Sequence, residues 1–258
     1  MTRHTIAAEY AVETMGPLHI GTGQGVAGLH RAMLRDQHGL PYIPGSTIKG
    51  RARYAAIKIC EWLNLSVSKD SVDDVRLLGS ASFQANGPAA ALDLPQRIFG
   101  TAWSRCTLRF TDARAAAPNR DPDTDQSTQR RLLERGYGFR ELRTGTGRSR
   151  LLGTVGQGLL YQSEVAPPGL IFRGEILGTL ECMELFDQPV EALVLWLALH
   201  LMVEDGVGGN KSAGNGKLAW AQTDRLKMKV DDQPFIPPSD GDFSSILELA
   251  SEAKGGAA

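Results

Sequence analysis

Between Val190 and Val203 the chain runs for 14 residues in which Glu191 and His200 are the only polar side chains. A bilayer-spanning helix needs about 20 apolar residues, and a shorter helix apolar on every side must be buried inside protein. Pro189 just ahead of it, Glu191 at its positive N-terminal end and Gly206 after its last turn mark its limits. Such a core helix demands enough other apolar surface to enclose it. The chain can supply that surface: 42% of its 258 residues are apolar and 22% charged, which also excludes disorder along the whole length.

The partners of that helix read as strands. Residues 4–15 mix small, β-branched and apolar side chains and form one strand. Arg105–Asp112 alternates, with Cys106, Leu108 and Phe110 on one face, and is the clearest strand pattern in the chain. Leu170–Leu180 is another, with Leu170, Phe172, Ile176 and Leu180 together, and a last strand lies around Lys217–Gln222. Pro41-Tyr42-Ile43-Pro44-Gly45 is extended, because two prolines resist helix. Ser46 or Thr47 then caps a helix reaching about Leu65, in which Ile48, Ala52, Ala55, Ile59, Trp62 and Leu63 recur three or four apart. Short helices are expected over 70–78, 127–135 and 243–253. The order strand, helix, strand, insertion, strand, helix, strand predicts an α+β fold. Its core is ferredoxin-like, with both helices on one face of an antiparallel sheet. The reading is a single domain over 1–258 with a long insertion at 112–168, a C-terminal extension at 224–258 and no internal repeat.

Lys+Arg number 28 and Asp+Glu 29, so a globally basic nucleic-acid binder is excluded. The balance hides a dipole. From Arg130 to Arg150 seven arginines and no lysine face Glu134 and Glu141, a local charge of +5. Arginine's planar fork favours bidentate phosphate contacts, the bland alternative being a solvated loop. Arg3, Arg31, Arg35, Lys49, Arg51, Arg53 and Lys58 outweigh Glu9, Glu13 and Asp36 by four over residues 1–58. The 29 glycines cluster at 16–28, 136–158 and 206–216, either as loops gathered around a ligand or as tight turns. Gly208–Lys217, with two lysines, Ser212 and a run of free backbone N–H groups, is either a phosphate nest or a helix-terminating loop.

Other site chemistries fail on spacing. Gly23-Gln-Gly25-Val-Ala-Gly28 matches G-x-G-x-x-G, but no helix follows, and position 48, where a dinucleotide site needs an acid, is Ile. Cys60, Cys106 and Cys182 make no CxxC pair and read as reduced thiols of a cytoplasmic protein without a signal peptide. His4, His19, His30, His38 and His200 lack metal-ligand spacing, and His200 reads as a core residue. No metal, cofactor or membrane span is expected.

Three segments, in order, carry a family resemblance. They are Gly16-Pro-Leu-His-Ile-Gly-Thr-Gly with Gly39-Leu-Pro-Tyr-Ile-Pro-Gly-Ser-Thr-Ile-Lys-Gly-Arg-Ala-Arg53; Arg143-Thr-Gly through Gly158-Leu-Leu-Tyr-Gln-Ser-Glu-Val-Ala-Pro-Pro-Gly-Leu-Ile-Phe172; and Gly208–Lys217. Together they resemble RAMP-superfamily proteins, most of all the Csm and Cmr backbone subunits of type III CRISPR effectors. The resemblance implies an RRM-like core with the 112–168 insertion as a protruding thumb. It implies copies stacked along CRISPR RNA, with complementary target RNA and other effector subunits as partners. By position His19, Ser46, Lys49, Arg51 and Arg53 would hold the guide backbone, with Lys211 and Ser212 of the glycine loop, while Arg140, Arg143, Arg148 and Arg150 belong to the thumb.

One departure bears on activity. Target-cleaving members carry an aspartate a few residues before the turn into Pro-Tyr-Ile-Pro-Gly-Ser, and here that position is His30, with Asp36 matching a separate position at the turn. A lost aspartate implies a guide-holding subunit that does not itself cut, as in the related type VII effectors, which recruit a separate nuclease. The alternative is an endoribonuclease cutting target RNA at six-nucleotide intervals through His30 or Asp36. A third, unrelated reading is a small-molecule enzyme whose glycine loops take a phosphorylated ligand.

Overall fold

The computed structural model describes residues 1–23, 31–63, 92–101, 104–116, 141–148, 155–185, 188–222 and 225–237. Its organising pair is β1 (Thr2–Thr14) and β7 (Ile171–Cys182), antiparallel in unbroken register from Thr2↔Cys182 to Glu13↔Ile171. On β1 the side chains of Ile6, Ala8, Tyr10 and Val12 are buried, while Thr5 and Glu9 on the other face are exposed. Phe172, Ile176 and Leu180 of β7 share that buried face. This period of two gives the sheet one apolar side, which has to be covered.

Helices α1 (Gly45–Trp62) and α3 (Val190–Asp205) cover it. Ile48, Ala52, Ala55, Ala56 and Ile59 of α1 pack in one core with Ala192, Leu195, Ala198, Leu199 and Met202 of α3. The 14-residue apolar run is thus the inner helix that the sequence predicts. Among the described residues no helix is long and apolar enough to cross a membrane. Glu191, in the first turn of α3, is buried; its carboxylate lies 3.2 Å from Nη1 of Arg97 on α2 (Leu94–Phe99) and accepts the Met183 N–H.

Short strands flank the central pair. β3 (Leu108–Phe110) and β4 (Ala113–Ala116) pair with β7, and β2 (Tyr42–Ile43) pairs with β4. After the small antiparallel pair β8 (Glu184–Leu185) and β9 (Gln188–Pro189), β10 (Leu218–Trp220) and β11 (Lys227–Val230) pair with the other side of β1, all antiparallel. Reading β10/β11, β1, β7, β3/β4 across the sheet gives the fourth, first, third and second strands of a split βαβ pair, the ferredoxin-like order. Outside this sheet, β5 (Glu141–Arg148) and β6 (Val155–Val165) form a separate two-stranded hairpin. Its base is tied to the body through Leu18↔Ala166 and Arg31↔Ser163.

Several sequence expectations need correction. The strand over 105–112 shrinks to three residues, because Cys106 Sγ turns to the carbonyls of Ile98 and Leu108 and pairing with β7 begins only at Leu108. The helix ends at Trp62, short of Leu65, and Trp62 lies 65% exposed, off the apolar face. Neither Ser46 nor Thr47 caps α1. The helix starts one residue earlier, and the Gly45 N–H donates to Oδ1 of Asp112 at 2.9 Å. Gly45 itself is required by crowding, since a Cβ there would sit 2.2 Å from the Phe110 carbonyl oxygen. The helices expected over 70–78, 127–135 and 243–253 lie outside the described residues.

Candidate nucleic-acid interface

Two of the three glycine clusters meet. The Gly209 N–H donates to the His19 carbonyl at 2.9 Å and the Gly216 N–H to that of Pro17 at 2.7 Å, so the loop after α3 lies directly on the loop after β1. Gly208 (φ 86°) makes this approach possible, because a Cβ on it would come within 2.5 Å of the His19 oxygen. Gly206 caps α3 as the helix-terminating reading expects. The run of free N–H groups is shorter than the sequence expects: Gly209, Ala213, Gly214, Asn215 and Gly216 donate to backbone carbonyls. The loop also offers the side chains of Lys211 and Ser212, both exposed.

His19 is 9% exposed beneath this loop. Its Nδ1–H donates to the carbonyl of Glu164 on β6 at 2.6 Å, since a carbonyl oxygen can only accept. The Glu164 side chain, also buried, takes Nε and Nη2 of Arg35 at 3.0 and 2.7 Å on one oxygen and the Met33 N–H at 3.0 Å on the other. One residue of the hairpin therefore fastens both segments that lead away from β1. Nearby, the Tyr161 ring lies across Gly145 of the opposite strand, and the Arg31 guanidinium sits 5.1 Å from its centroid.

The predicted contacts on α1 divide. Ser46 is exposed on the first turn, and Lys49 and Arg53 are half-buried. Arg51 reaches Asp205, the last residue of α3, at 3.6 Å, and Lys211 Nζ approaches the Asp205 carbonyl at 3.5 Å. The fold thus joins Arg51 to Lys211, which are 160 residues apart in sequence. Burial first, then the repulsion of Arg51, pull the Lys211 ammonium below the usual lysine value, against the attraction of Asp205.

On the hairpin, Arg143 is exposed and pairs with Glu141 at 2.9 Å. The Arg148 backbone pairs with Val155, while its side chain, Arg140, Arg150 and His30 lie outside the described residues. Asp36 stands at the turn, where Oδ1 accepts the N–H groups of His38 and Leu40, each at 2.9 Å. It also lines a cleft of about 230 Å³ with Arg35, Gln37, Tyr42, Asp112 and Arg114. Among the described residues, no group of three or more His, Cys, Asp or Glu has a metal-holding arrangement.

The open face of the sheet carries another kind of information. The outward positions of β1 are Arg3, Thr5, Ala7, Glu9, Ala11 and Glu13, and those of β7 are Ile171, Arg173, Glu175, Leu177, Thr179 and Glu181. None is aromatic, so the base-stacking platform of RNA-recognition-motif sheets is missing from the two central strands. That face carries basic side chains of its own, Arg109, Arg114, Arg173, Lys227 and Lys229, besides those on α1 and the glycine loop.

Sequence reasoning passed over Glu164, Asp112 and Asp205. Asp205 had a signal: an acid in the last turn of a helix opposes the helix dipole unless cations meet it. Asp112 and Glu164 had none, because their partners lie 67 and 129 residues away.

No curated protein matches the chain. A chain of the type III-B Cmr-beta complex bound to cognate target RNA, solved by cryo-electron microscopy, is similar with a TM-score of 0.48 and 16% identity. That match covers 88% of this chain and 61% of the other, so this chain spans less than two thirds of its length. The family model of the RAMP superfamily matches residues 11–219, and the chain belongs to that superfamily.

Proposed function

We propose that this protein is a backbone subunit of a type III-like CRISPR effector. It binds CRISPR RNA, stacks with further copies along the guide, and presents the guide for pairing with target RNA alongside other effector subunits. The observation that carries this reading is the convergence, within a RAMP-superfamily chain, of the glycine loop with Lys211 and Ser212 onto the basic α1 helix with Arg51. Lys49, Arg51, Arg53, Lys211 and Ser212 meet guide phosphates, which suits side chains on a helix and a loop beside a sheet whose central strands offer no aromatic platform. Ser46 adds a hydroxyl on the first turn. His19, buried and bonded to Glu164, supports the loop from below. Residues 112–168 act as the thumb, with Arg140, Arg143, Arg148 and Arg150 facing the guide–target duplex.

The subunit holds RNA without cutting it, and a separate nuclease performs any cleavage. Asp36 supports this, because one of its carboxylate oxygens is taken by two turn amides, the work of a turn-forming residue.

Co-purification tests the reading. Protein expressed in cells should carry RNA, seen as a high 260/280 nm absorbance ratio that falls on RNase treatment. Protein free of RNA that binds a phosphorylated metabolite instead would contradict it.

A further inference from the structure

From Arg51 to Lys58, α1 brings a cluster of cations together at the end of α3. Lys58 Nζ lies 2.9 Å from Oδ2 of Asp205, and the same oxygen faces Nη2 of Arg51 at 3.6 Å. Lys211 Nζ reaches the Asp205 backbone carbonyl. Tyr54, 48% exposed, stands between the first two cations, its ring centroid 5.2 Å from Arg51 Cζ and 5.0 Å from Lys58 Nζ. Two cations thus share one carboxylate, and a third sits on the backbone carbonyl of the same residue.

Neutralising Asp205 at the negative end of α3 accounts for one of them. Lys58 does this alone, with a good hydrogen bond. Arg51 remains too far for one, and its buried Nε has no hydrogen-bond partner. A guanidinium held this way offers a planar fork that suits a phosphate. The lowered pKa of Lys211, caused by burial and then by Arg51, fits a group of cations short of anions.

We infer that Arg51, Lys58 and Lys211, steadied by Tyr54, form the seat of one RNA phosphodiester, and that the Asp205 carboxylate occupies this seat until RNA displaces it. The inference rests on the guide-binding reading and adds Tyr54, Lys58 and Asp205 to it. Asp205 then acts as an internal competitor that sets affinity, while the cation–π contacts orient Arg51 and Lys58 beside the Tyr54 ring.

Titration of the full-length, RNA-stripped protein with a short fluorescent oligouridylate at a series of salt concentrations tests this. Lys58→Gln should weaken binding about tenfold and lower the salt slope by ~0.7, and Lys58→Arg should restore both. Asp205→Asn, which keeps the shape and removes the competing charge, should tighten binding, and inorganic phosphate should not displace the oligomer. Weaker binding by Asp205→Asn, or displacement of the oligomer by inorganic phosphate, overturns the seat, the latter by identifying a site for small anions. If Lys49→Ala and Arg53→Ala weaken binding while Lys58→Gln and Asp205→Asn both leave it unchanged, the seat fails and the guide-binding reading stands. If none of the four alters binding, both fail. Thermal melts of each variant separate lost folding from lost contact.

Discussion

Glu164 on the hairpin strand holds Arg35 with a single carboxylate oxygen, which takes Nε at 3.0 Å and Nη2 at 2.7 Å, while its other oxygen takes the Met33 N–H. The carbonyl of the same residue accepts His19 Nδ1–H. Segments 18–21 and 31–35 are therefore fixed to the hairpin and not only to the sheet. The hairpin base, the floor of the glycine loop and the turn bearing Asp36 form one connected unit.

Glu164→Gln leaves Arg35 and the Met33 amide facing a neutral group in a largely buried site. It should cost about 3 kcal/mol in urea unfolding. Hydrogen exchange should also rise across 31–36 before it rises in β1. Unfolding unchanged within about 0.5 kcal/mol would show that the pair ties nothing together.

Asp112, in the link between β3 and β4, caps α1. Asp112→Ala should destabilise the protein by about 1 kcal/mol, and Asp112→Asn by much less, since an amide oxygen also accepts the Gly45 N–H. Ser46→Ala should leave stability unchanged, because the Ser46 side chain caps nothing. Thermal melts of the three variants check this, and a larger loss from Ser46→Ala than from Asp112→Ala would reverse the assignment.

Two histidines give stability a dependence on pH with opposite signs. His4 bridges Asp231, 2.6 Å from its Nδ1, and Glu184. Burial pulls its pKa down, but the hydrogen bonds to Asp231 and Glu184 outweigh this and the net shift is upward. Its contribution is whole below the ordinary value of 6.5 and is lost as pH rises through the raised value. His200 accepts the Trp220 Nε1–H on Nδ1 at 3.1 Å, and burial lowers its pKa, with Glu204 opposing. Its contribution is whole above 6.5 and is lost as pH falls toward the lowered value. Urea unfolding across a pH series should show His4→Gln flattening the alkaline limb and His200→Gln the acid limb. The reverse assignment of limbs would contradict both.

Much of the core was legible because it rests on local pattern. The apolar run of α3, bounded by Pro189 and Gly206, and the alternation of β7 were sufficient to place the inner helix and its sheet. The failures share one cause. The extent of β3 is set by where Cys106 turns, and the cap of α1 comes from Asp112, both decided by tertiary contacts that periodicity does not encode. The β5–β6 hairpin escaped notice because neither strand alternates in the sequence: β5 is rich in Thr, Gly and Arg, and Leu159 and Leu160 stand side by side in β6. Within the site, charge clustering picked out Arg51 and Lys211 but not Asp205, the acid on which they converge.

Cleavage separates the scaffold reading from its alternative. The assembled complex, freed of other nucleases, should leave target RNA intact, and Asp36→Ala should change neither binding nor the RNA. Cutting at six-nucleotide spacing that Asp36→Ala abolishes would make this subunit the nuclease. In an inert complex, His30→Asp restores the residue that cutting relatives carry at this position, and target cutting gained by it would locate the lost activity at position 30.

The central claim is that α1 holds guide RNA by its phosphates. The most direct measurement is the affinity of the full-length protein for single-stranded RNAs of different sequence, titrated over a range of salt, for Lys49→Ala and Arg53→Ala against the unaltered chain. The account predicts weaker binding to every sequence alike, with the salt slope reduced by ~0.7 for each contact removed. Affinity and slope unchanged in both variants would contradict it.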